Sequence, residues 1–166
     1  MPDTERKDYK LILVGSCRNE EDSKRVENLK ELCRELGISE YVEFELNVSF
    51  DRLKELMSES VIGLHTMWNE HFGIGVVEMM AAGTIVLAHD SGGPKLDIVV
   101  PVSSHKTGFL ANDVESYAVA METIFNLSNS ERLEIRKHAR ESISRFSEKE
   151  FNDGFIYAFE PLMAKA

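Results

Sequence analysis

Two glutamates, Glu70 and Glu78, flank the start of an apolar helix-like segment within residues 65–83. A helix start leaves backbone N–H groups without acceptors and carries partial positive charge, which favours an anion such as a diphosphate. Gly73 and Gly75 have no side chain, so a ligand can approach the backbone closely there. The expected donors to such an anion are the amides of Phe72, Gly73, Ile74 and Gly75.

The two carboxylates suit the hydroxyl groups of a sugar. Glu78 has apolar neighbours throughout its helix, which predicts a buried helix, and a buried carboxylate without a partner is costly. We therefore expect a partner at the cleft end of the helix, and the two adjacent hydroxyls of a ribose match a carboxylate well. Glu70, in the preceding loop, is placed to hold sugar hydroxyls. Two structural alternatives stay open: Glu70 is an ordinary loop carboxylate, or Glu78 pairs with a lysine of another element.

Strands alternate with helices along the chain, and Glu70 follows the third strand. Five short apolar runs are predicted to be strands, at residues 10–15, 41–46, 61–65, 84–89 and 108–110. Helical spacing occurs at residues 20–36, from 49, and at 74–82, 114–126, 130–145 and 147–164, with a short helical or irregular segment at 95–100. This order predicts an α/β fold, a Rossmann-like parallel sheet with helices on both faces, which binds ligands at the carboxyl ends of its strands.

Composition limits the partners. The 166 residues carry a formal net charge of −10, which argues against binding to nucleic acid or anionic membranes. No apolar run approaches the ~20 residues that span a bilayer, so we expect no transmembrane segment in this chain. Cys17 and Cys33 predict reduced thiols, and no metal-ligand spacing is visible. Residues 1–9 are predicted to be a polar tail and residues 10–166 a single domain.

The segment E-H-F-G-I-G-V-V-E-M-M-A-A-G (70–83) resembles the Glu-x7-Glu signature of the retaining GT-B glycosyltransferases of family 4. L-I-L-V-G (11–15) and S-G-G-P-K (91–95) resemble the strand before the nucleotide loop and the Gly-Gly loop of that family. The resemblance implies that Glu70 contacts the donor sugar as the catalytic residue and that Glu78 binds the ribose. It implies further substrate contacts at His71, Phe72, Gly73, Ile74, Gly15, Gly92 and Gly93.

By the same resemblance, residues 10–166 form the nucleotide-sugar-binding C-terminal domain of a GT-B fold. The partner domain, an N-terminal domain that binds the acceptor, is absent from this chain. We therefore expect the isolated chain to bind its nucleotide sugar weakly and to transfer nothing.

The sequences L-H-T-M-W-N-E-H-F-G-I-G-V-V-E (64–78) and A-H-D-S-G-G-P-K-L-D-I-V-V-P (88–101) resemble a narrower group. These are the eukaryotic α-1,2-mannosyltransferases that extend dolichol-diphosphate-linked oligosaccharide for protein N-glycosylation. The likeness implies GDP-mannose as donor substrate, a lipid-linked oligosaccharide as acceptor, and the cytosolic face of the endoplasmic reticulum membrane as location of the full enzyme. The chain itself is expected to be soluble and to use no cofactor. No metal is expected either, since the chain lacks the Asp-x-Asp pair with which metal-dependent glycosyltransferases bind the diphosphate.

Three alternatives stay open. Another family 4 transferase would use a different nucleotide sugar. A nucleotide-binding interaction module would bind partners without transferring a sugar. A sugar isomerase or epimerase fits less well, because no G-x-G-x-x-G follows the first strand.

Overall fold

A computed structural model describes residues 9–163 of the chain. Tertiary contacts divide the chain between Glu55 and Leu56 into two compact units, which are described in turn. Most of the predicted polar tail, residues 1–8, lies outside the described residues, as does the predicted end of the last helix at Ala164.

The first unit contains a two-stranded parallel sheet and one long helix. Strand β1 (Leu11–Gly15) pairs with β2 (Val42–Leu46), and helix α1 (Glu20–Glu35) connects them. Asn19 caps this helix, because its side-chain oxygen accepts a hydrogen bond from the Asp22 amide at 2.9 Å. Helix α2 (Phe50–Glu59) follows β2. The parallel pairing brings the carboxyl ends of both strands to the same edge of the sheet.

The second unit contains a three-stranded parallel sheet in the order β3-β4-β5. Its strands are β3 (Ile62–His65), β4 (Ile85–His89) and β5 (Phe109–Ala111). Its helices are α3 (Ile74–Ala82), α4 (Val114–Asn126), α5 (Asn129–Ile143) and α6 (Glu148–Met163). Helix α3 connects β3 to β4, so the loop before α3 begins at the carboxyl edge of the sheet.

Strand β4 is the centre of the second unit, because it is buried on both faces. Val86 and Ala88 point to one side, and Ile85 and Leu87 point to the other, as the two-residue period of a strand requires. The first pair packs in a cluster with Val76, Met80, Ile98, Val99 and Ala139. The second pair packs in a cluster with Ala111, Ile124 and Ile135. Burial of this kind contributes about 25 cal/mol per Å² of apolar surface and fixes α3 against the sheet.

The carboxyl end of α3 is closed by a glycine and an arginine. Gly83 adopts a left-handed conformation with φ of 94°, and its amide donates to the Met79 carbonyl at 3.1 Å. The Arg140 guanidinium donates to the carbonyls of Ala81 at 3.2 Å and Ala82 at 3.1 Å. These bonds satisfy carbonyls that the helix leaves open, and the charge complements the helix dipole.

The predicted α/β class is confirmed, and the strands are parallel with helices on both sides. Helices α3 and α4 begin and end where the sequence predicts, and the strands agree within one residue at each end. The irregular segment after the Gly-Gly loop is a single π-helical turn, Pro94–Ile98, closed by the Val99 amide on the Pro94 carbonyl at 2.8 Å. Helix α5 ends two residues earlier than predicted, at Ile143, because a 3-10 turn (Ser144–Phe146) follows it.

Candidate functional site

The amino end of α3 is an open set of backbone donors. Gly73 caps the helix in a left-handed conformation with φ of 102°, and its carbonyl accepts the Val76 amide at 2.9 Å. In the part of the chain that the structure describes, the amides of residues 72–75 donate no hydrogen bond. A β-carbon added at Gly75 would meet no atom within 4 Å. The predicted helix start is therefore present, with free N–H groups. The space beside Gly75 is open, whereas Gly73 is buried, and a β-carbon there would lie 3.4 Å from side-chain atoms of Glu70, Pro94 and Val76.

Phe72 supplies a free amide while its ring anchors the loop. The ring meets that of Phe146 edge to face, with centroids 5.2 Å apart and planes at 80°. His71, the neighbouring residue, is exposed. The loop before α3 therefore presents its backbone and the His71 imidazole to solvent, while an aromatic contact holds it to the rest of the unit.

Glu70 lies in this loop beside a histidine. Its side chain is 26% exposed, and its carboxylate Oε2 lies 3.8 Å from Nε2 of His65, at the end of β3. The Nδ1 atom of His65 is buried and has no hydrogen-bond partner among residues 9–163, while its carbonyl accepts from the Tyr117 hydroxyl at 3.0 Å. The strand end and α4 thus fix His65, and His65 borders the carboxylate.

The role of His65 beside Glu70 is a feature that sequence reasoning missed. The resemblance to the family implies a substrate contact at His71 and none at His65. A strand-end histidine five residues before a loop carboxylate carries no periodic signal, because the intervening loop has no fixed repeat.

Glu78 is exposed and free, which corrects one expectation. The prediction that Glu78 is buried with its helix is wrong: its side chain is exposed and has no hydrogen bond or ion pair with any described residue, while the predicted ribose partner stays a prediction. Helix α3 buries Val76 and Met80 but exposes Ile74 and Ala81, which share a face with Glu78. The helix is covered on one side only, so its carboxylate stands in solvent. The alternative of a salt bridge with a lysine is likewise not seen within residues 9–163.

The Gly-Gly loop packs directly on the loop that carries Glu70. The Gly93 amide donates to the Glu70 carbonyl at 2.8 Å. A β-carbon at Gly92 would overlap the Glu70 carbonyl oxygen, and one at Gly93 would overlap the Phe72 carbonyl and lie 2.6 Å from that of His71. Both glycines were predicted to contact substrate, and the structure gives them another function as well. They let the two loops approach each other.

The Ser91 hydroxyl links the loop of Glu70 to the end of β4 through the Asn69 backbone amide and His89. The Asn69 amide donates to the Ser91 hydroxyl oxygen at 2.8 Å, and the same oxygen lies 2.8 Å from Nδ1 of His89. Lys95, in the π-helical turn, forms an ion pair with Asp90 at 3.1 Å. The segment that holds Glu70 is therefore connected to the end of β4 at several points.

Gly15 belongs to the first unit, at the end of β1. It is exposed, and a β-carbon there would meet no atom within 4 Å. The Gly15 carbonyl accepts the Asn47 amide at 3.0 Å, and the Asn47 side chain bonds the Cys17 amide at 2.8 Å and the Cys17 carbonyl at 3.2 Å. Asn47 thus joins the loops after β1 and β2, and Gly15 stays open to solvent.

Residues 9–163 hold no group of three or more His, Cys, Asp or Glu side chains that could bind one metal ion. No helix in that range is both long enough and apolar enough to cross a bilayer.

Comparison with known proteins assigns a family. Residues 1–142 match the family described as glycosyl transferases group 1. A relative from Xenopus tropicalis, named GDP-Man:Man(3)GlcNAc(2)-PP-Dol alpha-1,2-mannosyltransferase, is 61% identical over 96% of this chain and 32% of its own length. The human protein of the same name is 59% identical over 92% of this chain and 31% of its own length. The chain therefore spans about a third of the length of these curated relatives.

A solved structure supports the fold. Sucrose-phosphate synthase from Thermosynechococcus elongatus superposes with a TM-score of 0.80 at 23% identity, covering 95% of this chain and 39% of that protein. At this identity the likeness concerns the fold alone.

Proposed function

The chain belongs to the family of group 1 glycosyl transferases, and we propose that it is the donor-binding domain of an α-1,2-mannosyltransferase that uses GDP-mannose. The relatives that carry this name share 59–61% identity with it in the frog and human proteins. In the complete enzyme, a second Rossmann-like domain binds the acceptor, a dolichol-diphosphate-linked oligosaccharide. The enzyme acts at the cytosolic face of the endoplasmic reticulum membrane.

The observation that carries this proposal is the set of free backbone amides at the head of α3. Four consecutive backbone amides there have no acceptor in the described residues. Two carboxylates flank these amides, and neither forms an ion pair with a lysine or arginine of the described residues. Donors for an anion and acceptors for hydroxyls thus lie on one short segment. A nucleoside diphosphate sugar has both kinds of group.

The diphosphate binds at the amides of residues 72–75. Each N–H donates to a phosphate oxygen, and the helix dipole adds attraction for negative charge. When the bond between mannose C1 and the β-phosphate oxygen breaks, its electron pair leaves with GDP. Donors already aimed at this oxygen stabilise the developing charge without reorganisation.

The ribose binds at Glu78. This residue lies four positions after Ile74, which is about 6 Å along the helix axis at 1.5 Å per residue. Its exposed carboxylate accepts two hydrogen bonds from the vicinal hydroxyls of the ribose. Charged hydrogen bonds of this kind are worth about 1.5–3 kcal/mol each.

The mannose binds at Glu70. Its carboxylate accepts hydrogen bonds from sugar hydroxyls, and His65, 3.8 Å away, limits the orientations that the side chain can take. The Gly92–Gly93 loop holds the backbone of Glu70 from the other side through the bond at 2.8 Å. The bond fixes the backbone of Glu70 and His65 restricts its side chain, so less conformational freedom is lost when the sugar binds.

Isothermal titration calorimetry of the chain with GDP-mannose, GDP, UDP and ADP tests the proposal. We expect GDP-mannose and GDP to bind more tightly than UDP and ADP. Tighter binding of UDP or ADP would show that the donor is another nucleotide sugar. Absence of binding for all four nucleotides, in a chain shown to be folded by circular dichroism, would overturn the donor-binding role itself.

Replacing Glu70 with glutamine is expected to weaken GDP-mannose binding about tenfold while GDP binding stays unchanged, because only the sugar contacts this carboxylate. The two ligands are compared by calorimetry on the same preparation. Glu122→Gln, an exposed carboxylate of α4 in the same unit, serves as the control and should alter neither affinity. Equal weakening of both ligands by Glu70→Gln would place Glu70 near the nucleotide instead.

A further inference from the structure

A strip of basic residues lies on α5, at the opposite end of α3 from the proposed donor site. Arg132, Arg136 and Arg140 are spaced four residues apart, so they lie on one face of the helix. Lys137 is adjacent and exposed. Like charges at this spacing destabilise a helix by a few tenths of a kcal/mol per pair. In a chain whose formal net charge is −10, such a cluster requires an explanation.

Two of the three arginines have structural partners. Arg132 donates to the Phe125 carbonyl at 2.8 Å and so links α5 to the end of α4. Arg140 donates to the last carbonyls of α3, as described above. The structural bonds of Arg132 and Arg140 therefore explain the presence of these two arginines.

Arg136, between them, has no such partner. Its Nε atom is buried without a hydrogen bond, and within residues 9–163 its guanidinium forms no hydrogen bond or ion pair. Burial, together with the charges of Arg132 and Arg140, lowers the pKa of Arg136. A buried donor left unsatisfied costs about 1–3 kcal/mol, so a ligand that accepts from it would be favoured.

The acidic residues of α5 do not neutralise Arg136. Glu134 and Glu141 instead contact the two nitrogens of the His138 imidazole, at 3.3 Å and 3.2 Å. Glu141 also borders the groove beside Arg136, but its carboxylate is directed to the histidine. The positive charge of the strip therefore stays uncompensated.

A groove gives access to this charge. It has a volume of about 420 Å³ and is lined by Arg136, Lys137, Arg140, Glu141, Leu133 and Gly83, among others. Pockets that hold small molecules range from about 300 to 1,000 Å³, so the groove accommodates a phosphate group and part of its substituent. A phosphate oxygen also matches the planar fork of a guanidinium.

We propose that this groove between α5 and the end of α3 is a second binding site, which takes a phosphate group through Arg136 and Lys137. The group comes either from a free phosphate compound or from a phospholipid head. The site is separate from the donor site, since the two lie at opposite ends of α3. It does not depend on the proposed transferase function.

Nuclear magnetic resonance of the chain titrated with inorganic phosphate tests the proposal. We expect the Nε–H resonance of Arg136 to shift with a saturable dependence on phosphate, because this donor gains an acceptor. In parallel, sedimentation with vesicles of phosphatidylcholine, with and without phosphatidic acid, whose head is an unsubstituted phosphate, tests the lipid source. Saturable binding of phosphate without binding to either vesicle identifies a free compound, and binding to the phosphatidic acid vesicles identifies a lipid head.

The Arg136→Gln, Lys137→Gln double variant should weaken whichever binding occurs about tenfold, since it removes charged donors to the phosphate. The control is Lys24→Gln, Arg34→Gln, which removes the same charge from exposed positions of α1. Equal weakening by the control, or no binding in either titration, would overturn the proposal. If the double variant fails to fold, the Arg136 resonance of the unaltered chain decides.

Discussion

The Glu78→Ala variant should bind GDP at least about a hundredfold more weakly than the unaltered chain. The reason is the loss of two charged hydrogen bonds to the ribose, worth about 1.5–3 kcal/mol each, where 1.4 kcal/mol corresponds to a factor of ten. The free energy of unfolding should change by less than about 0.5 kcal/mol, because Glu78 is exposed and has no partner among the described residues. Calorimetry with GDP and urea denaturation measure the two quantities.

Glu122→Ala is the matched control, because it removes an exposed glutamate from the interior of another helix in the same unit. It should leave both quantities unchanged. Glu78→Gln keeps one hydrogen-bond acceptor and should lie between the two, with a loss of about tenfold. If Glu78→Ala binds GDP normally, the ribose role is wrong. If it lowers stability by more than about 1 kcal/mol instead, this carboxylate has a structural partner.

The course of α3 could be predicted from sequence, because its signals are local. Gly73 and Gly83 stand at the two ends, both glycines adopt positive φ, and the helix between them runs from Ile74 to Ala82 as predicted. Only glycine takes these conformations without steric cost, so the two glycines indicate where the helix begins and ends. The apolar run at 85–88 gives β4 in the same way, since a strand buried on both faces shows no alternation.

The surroundings of Glu78 could not be predicted in this way. A helix with apolar residues on every side indicates full burial, yet Ile74 is 61% exposed and lies on the same face as Glu78. Which side of a helix is covered depends on the elements that pack against it, and a single sequence does not contain that information. The exposed face also explains how a carboxylate is tolerated here without an internal partner.

The two glycines after Ser91 illustrate a second limit. A glycine is required wherever another group comes within reach of a β-carbon, whether that group is a ligand or a neighbouring loop. The resemblance to a known family favours a ligand as the reason for the two glycines. In the structure, the space beside Gly92 and Gly93 is filled by the backbone of residues 70–72. The glycine pair alone does not tell whether a ligand or the neighbouring loop excludes a side chain. Both causes apply together only if the ligand binds the loop that these glycines contact.

The Gly93→Ala variant separates them and should be the most destabilising of the substitutions considered. Gly93 has an ordinary helical φ of −57°, so alanine brings no backbone strain. Its β-carbon, however, would lie 2.6 Å from the His71 carbonyl and 2.7 Å from the Phe72 α-carbon, atoms that cannot move without shifting the loop. Overpacking of this kind, with loss of the bond to the Glu70 carbonyl, should cost about 3 kcal/mol of unfolding free energy, measured by urea denaturation.

Gly154→Ala provides the comparison, because Gly154 lies inside α6 with no atom within 4 Å of an added β-carbon. That variant should gain about 0.5–1 kcal/mol, the usual effect of removing a glycine from a helix. GDP-mannose affinity should fall in Gly93→Ala together with stability, since the displaced loop carries Glu70 and the free amides. If stability is retained while nucleotide binding is lost, Gly93 is required for the approach of the ligand itself, and the loop contact is incidental.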